Sequence, residues 1–97
     1  MSRAVRFRPE AQAEALDTRM WYENRQAGLG DAFTIELEEI VRRISENPEQ
    51  FRRVRGEIRR AVLNRFPYAA YFRADEAQVI VLAIHGRQHP ARWQSRR

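Results

Sequence analysis

The chain has 97 residues, of which 43% are hydrophobic and 32% charged, and its net charge is +5. Its length fits one domain spanning 1–97, and its apolar content can fill a small core, which argues against disorder. The absence of cysteine excludes a disulfide framework and a thiolate metal site, and the longest apolar run, six residues at Val79–Ile84, is far short of a membrane span.

The N-terminal stretch MSRAVRFRPEAQAEA lacks the apolar segment of a signal peptide, so a cytoplasmic protein is expected. All 18 basic residues are arginine, and they are unevenly placed. Residues 1–47 sum to −2 and residues 48–97 to +7. The C-terminal half is therefore expected to present a cationic surface, suited to phosphates or to an acidic protein.

Residues 4–8, AVRFR, alternate apolar and basic side chains, the period of a short half-buried strand. Pro9 suits the first turn of a helix. A first helix is predicted over 10–26, with Ala13, Leu16 and Met20 on one stripe and Trp21 beside it. AGLGD (27–31) interrupts the pattern with two glycines, and Asp31 is a plausible N-cap for a second helix. That second helix is the clearest element. Phe33, Leu37, Ile40, Val41 and Ile44 form one apolar face, with acids early and bases late as the helix dipole favours. Asn47-Pro48 closes it, and the short glycine turn implies an antiparallel helical hairpin.

Residues 49–56 read as a charged connection containing Phe51 and Val54. EIRRAVLN (57–64), YAAYFRA (68–74) and 79–85 come next as strands, separated by the RFP bend and the DEAQ turn. Arg59 and Arg60 fall on opposite faces of the first of these strands. The last strand is apolar on both faces, as a central strand is. The order β-α-α-β-β-β predicts an α+β domain. An N-terminal strand and a helical hairpin would pack on one face of a mainly antiparallel, about four-stranded sheet. VIVLAIHGRQHPARW (79–93) ends the apolar strand on His85, Gly86 and Arg87, an arrangement able to hold a titratable ring at the sheet's rim.

In this order and at this length, the sequence resembles the RelE/ParE superfamily of toxins from bacterial type II toxin–antitoxin systems. The resemblance rests on WYE (21–23), GLGDAF (28–33), NPEQF (47–51), RRAVLNRFPYAAYF (59–72) and VLAIHGRQHPARW (81–93). It implies a toxin held inactive by a cognate acidic antitoxin in a hetero-oligomer, with no cofactor. It leaves two targets open. Some members cut messenger RNA on the ribosome; others block DNA gyrase.

Metal-independent RNA cleavage needs a base, an acid and cations. His85, Glu57 and Arg65 are the candidates for those roles, resembling the Glu, Arg and His set of the superfamily's ribonucleases. Arg59, Arg60, Arg73 and Arg87 would hold phosphates through their planar forks. A gyrase blocker needs only an exposed cationic and aromatic surface, for which Arg87, Arg92, Trp93, Arg96 and Arg97 are candidates. Each residue also has a structural reading. His85 can donate to a backbone carbonyl, Arg59 and Arg60 can protect a sheet edge, and Glu57 can neutralise arginines. A His85–His89 metal pair is disfavoured, because Gly86 and Pro90 argue against a helix there. Ribosome-dependent cleavage of messenger RNA is the expected mechanism, gyrase inhibition without catalysis is the alternative, and a basic binding protein without toxicity is the second alternative.

Overall fold

The computed structural model of the chain describes residues 2–86. Strand β1 (Ala4–Phe7) leads into helix α1 (Pro9–Arg25) and helix α2 (Leu29–Glu46). A 3₁₀ turn at Pro48–Gln50 precedes β2 (Arg52–Arg55), β3 (Ile58–Val62), β4 (Tyr68–Ala74) and β5 (Gln78–Gly86). The sheet order is β1-β5-β4-β3-β2. β1 runs parallel to β5, and the other pairs are antiparallel. This is the expected α+β architecture with a fifth strand. The segment read as a charged connection supplies β2, because Arg52 and Arg53 pair with Arg60 and Arg59. Three arginines in four residues hide strand periodicity at an exposed edge, where charge is tolerated.

The α2 stripe packs inward as its period demands: Phe33 and Ile44 are fully buried, Leu37 and Ile40 nearly so. It meets the sheet face that carries Ala61, Leu63, Ala70, Phe72, Val79, Val81 and Ile84. Tyr22, Phe33, Phe66 and Tyr68 close one end of this core, with ring centroids 4.8 Å apart for Tyr22–Phe66 and 5.4 Å for Phe33–Phe66.

Helix α1 departs from the expected stripe. Leu16 and Met20 are more than half exposed and Trp21 is 49% exposed, whereas Ala11 and Thr18 are buried and Ala15 and Tyr22 pack on the core. The inward positions 11, 15, 18 and 22 do share one helical face, but small and polar side chains occupy most of it. The helix lies close to the sheet and has little room for bulk.

The hairpin turn also differs from the Asp31 reading. α2 starts at Leu29, and Gly28 is its cap with φ 90°, a left-handed conformation that glycine adopts without strain. The Glu23 carboxylate of α1 accepts the amides of Gly28 (2.9 Å) and Gly30 (3.0 Å). It thereby satisfies donors that a helix start leaves orphaned. Asp31 instead pairs with Arg19 across the hairpin at 2.6 Å.

Candidate functional site: a helix-free arginine face

Strand alternation assigns the sheet's second face, and no described helix packs on it. Ile58, Ala69, Tyr71, Leu82 and Ala83 form a buried patch there, flanked by Val54, Val62 and Ile80. Leu82 is an extra residue in β5, since Tyr71 pairs with Ala83 and Phe72 with Val81. Such a bulge increases the local twist.

Arg6, Arg52, Arg60 and Arg73 share this face in two neighbouring rows, and Arg55 pairs with Ile58 at its end. Arg6 and Arg73 both pair with Ile80, one from each side. Arg52 pairs with Arg60, and Arg60 with Tyr71. Arg6 and Arg52 are exposed or nearly so, and the other two half-buried. Among the described residues, none of these four has an ion-pair partner within 4 Å. The five strands together carry seven arginines and no carboxylate. α1 carries four carboxylates and two arginines, α2 five and two. Charge is thus divided between the layers, cationic sheet against anionic helices.

His85 lies at the far end of this face but does not reach the rim. It is 4% exposed, and its Nε2 is 3.2 Å from Glu14 Oε2. The cause lies in the sheet edge. β1 leaves the sheet after Phe7, and Arg8 N–H donates to Val81 O. Beyond that point β5 has lost its neighbour, and α1 takes the place. Glu14 Oε1 accepts the freed Ile84 amide at 3.0 Å, since a buried N–H must find a partner. Its other oxygen faces the imidazole. This corrects the expectation of an accessible ring. Sequence reasoning missed Glu14, although a carboxylate between Ala11 and Thr18 on the helix's inward side is a visible signal.

The other two residues proposed for acid–base chemistry lie elsewhere. Glu57 is exposed in the turn between β2 and β3, beside Gly56. His85 aligns through Ala69 with Val62, five residues further along than Glu57. The separation along the strands alone is about 17 Å. Arg65 is near the His85 end but on the helical side. Its amide is held by the Glu36 carboxylate, as is that of Asn64, and its guanidinium lies 5.8 Å from the Phe66 ring centroid. The fold therefore does not bring His85, Glu57 and Arg65 together. Arg59 faces the helical layer and donates to Phe51 O at 2.7 Å, a structural contact. Arg60 and Arg73 are on the helix-free face. Arg87, Arg92, Trp93, Arg96 and Arg97 lie outside the described residues.

The surface also carries hollows. A polar cleft of about 220 Å³ at the Glu57 end is lined by Arg3, Arg53 and Arg59 and by Glu49, Glu57, Asp75 and Glu76, so charges of both signs meet there. An apolar groove of about 390 Å³ lies between the helices, lined by Phe7, Ala15, Leu37 and Val41 with Gln12 and Glu38. On the helical layer Leu16, Met20, Trp21 and Ile35 stand exposed, and Arg25 lies 4.0 Å over the Trp21 ring. Among the described residues, no helix is long and apolar enough to cross a membrane.

Residues 5–90 match the family model described as "ParE toxin of type II toxin-antitoxin system, parDE". No curated protein sequence matches significantly. Among solved structures, the chain resembles one from the "Chromosomal ParDE TA system from P. aeruginosa" with a TM-score of 0.75. That match has 18% identity and covers 88% of this chain and 96% of the other. At that identity the likeness speaks for the fold.

Proposed function

The chain belongs to the ParE toxin family of type II toxin–antitoxin systems, and from that premise we propose that it arrests growth as a non-catalytic inhibitor of DNA gyrase. A toxin of such a system has an antitoxin partner. One observation carries the choice of mechanism: Glu57 and His85 occupy opposite ends of the sheet, and His85 is buried against Glu14. A general acid and base must both come within hydrogen-bond reach of one reacting group. Binding to a target enzyme asks only for complementary surface. We assign the antitoxin to the helical layer, where apolar side chains stand exposed beside an apolar groove. The setting of both encounters is the cytoplasm.

Two assays on the purified chain test this reading. It is expected to stop supercoiling by gyrase and to leave messenger RNA intact in a translating extract. RNA cuts at codons in the ribosomal A site, with supercoiling unaffected, would restore the ribonuclease reading. In the same frame Glu57→Ala and Arg65→Ala keep full growth arrest.

A further inference from the structure

The groove between the helices carries a charge signal that apolar burial does not explain. Phe7, Ala15, Leu37 and Val41 give it an apolar lining, with Gln12 on the α1 side and Glu38 on the α2 side. Leu16 and Met20 follow Gln12 at one-turn steps, so the α1 rim continues as an exposed apolar row. Glu38 is exposed, and among the described residues it has no hydrogen-bond or ion-pair partner. The other carboxylates of α2 are engaged. Asp31 is held by Arg19, Glu36 by the amides of Asn64 and Arg65, and Glu39 and Glu46 by Arg42. Arg42 lies one turn beyond Glu38, but two carboxylates share it at 2.7 Å, so that trio is negative as a whole.

From this placement we infer that the groove receives a helix of the antitoxin that is apolar along one face and basic at its edge, with an arginine or lysine set against Glu38. The inference rests on the reading that seats the antitoxin on the helical layer. For this segment it reverses the sign of the acidic partner that the sequence suggests. Backbone hydrogen bonding selects a helix as the occupant. Both long walls are helices, whose amides and carbonyls are bonded within each helix. An extended segment would find no ladder to join there and would enter an apolar groove with its own backbone unpaired. A helix brings its backbone bonds with it and fills such a groove with side chains at i, i+3, i+4 and i+7. Charge then selects among helices. An acidic one would face Glu38 and the negative trio, and like charges opposed across an interface are strongly disfavoured.

The experiment is calorimetric titration of the full-length chain with its antitoxin, at physiological and at high salt. Glu38→Gln is expected to weaken binding about threefold, the scale of a rim ion pair, and to reduce its salt dependence. Glu38→Arg weakens it about tenfold or more. Asp17→Arg makes the same charge change at an exposed α1 position outside the groove lining, and leaves affinity within about twofold. Changing the antitoxin's basic residues one at a time to glutamate is expected to find a position that restores binding to Glu38→Arg. Leu16→Ser/Met20→Ser strips apolar surface from the rim without altering charge, and weakens binding about tenfold. All these positions are exposed, so melting temperatures are expected to hold. If Glu38→Arg compromises folding, Glu38→Gln carries the same expectation in smaller measure.

Unchanged affinity in both Glu38 variants overturns the inference. Tighter binding of Glu38→Arg does so as well, because the docked segment is then acidic. Self-association of the chain alone, abolished by Leu16→Ser/Met20→Ser, would put a second copy in the groove and would also overturn it. The serine pair separates the two claims. If it weakens binding and the Glu38 variants do not, the antitoxin sits on the helical layer without the basic contact, and only the inference falls. If none of these variants matters, the antitoxin docks elsewhere and both fall.

Discussion

Glu14 and His85 carry the plainest lesson about individual side chains. A histidine at the end of an apolar strand invites a catalytic reading, because an ordinary imidazole titrates near neutrality. Here the strand end is sealed by a helix, and the carboxylate that seals it meets the ring. Glu14→Ala deprives the Ile84 amide of its acceptor. A loss of about 1–3 kcal/mol is expected, seen as a melting temperature lower by roughly 5–20 °C. Asp75 offers a second, pH-dependent test. The amides of Ala77 and Gln78 hold its carboxyl below the usual value, with Arg73 and Arg3 adding to the effect. The ionised form therefore steadies the β4–β5 turn. Its contribution is intact above the ordinary carboxylate range and fades as pH falls through the lowered value. Asp75→Ala should accordingly destabilise the protein at pH 7, with the difference in melting temperature from the natural chain shrinking below about pH 4.

Among the elements, the helical hairpin is held by contacts that its two glycines permit. A Cβ on Gly30 would sit 2.6 Å from Arg19 O and 2.9 Å from Glu23 Oε1, so α1 and α2 would have to separate. Gly30→Ala is expected to cost about 1–3 kcal/mol, as overpacking does. Glu23→Ala, which removes the acceptor for two amides at the start of α2, should cost about 1 kcal/mol. Chemical denaturation of both variants reads these losses, and a neutral Gly30→Ala would contradict the close approach. Element type was legible wherever periodicity and burial agreed, as in α2, β4 and β5. It was hidden in β2, where an edge strand is nearly all arginine. In α1 the large apolar residues misled, because the near-sheet side takes Ala11, Ala15 and Thr18 and leaves Leu16 and Met20 outside.

At the level of the whole molecule, two layers offer two different surfaces. The helical layer is anionic with an exposed apolar patch, and the sheet layer is cationic. An antitoxin seated on the helical layer, as proposed, would gain chiefly from apolar burial. Leu16→Glu/Ile35→Glu should therefore weaken antitoxin binding by more than about 30-fold, the scale of an interface hot spot, measured by titration of the antitoxin. Both positions are surface-exposed, so an unchanged melting temperature is expected alongside. Retained affinity would move the antitoxin to another face.

Periodicity, turn residues and charge order are enough to specify a helical hairpin on a mainly antiparallel sheet and to mark the second half of the chain as cationic. Those properties are local: they depend on neighbours three, four or two positions apart. Which side chains share a site is not local. The β1 exit at Phe7 freed the β5 edge for Glu14 and closed off His85. Strand register placed Glu57 at the far end of the sheet and brought Arg6, near the N-terminus, into a row with Arg73. Pairing between distant segments sets such distances, and only the assembled sheet contains that information.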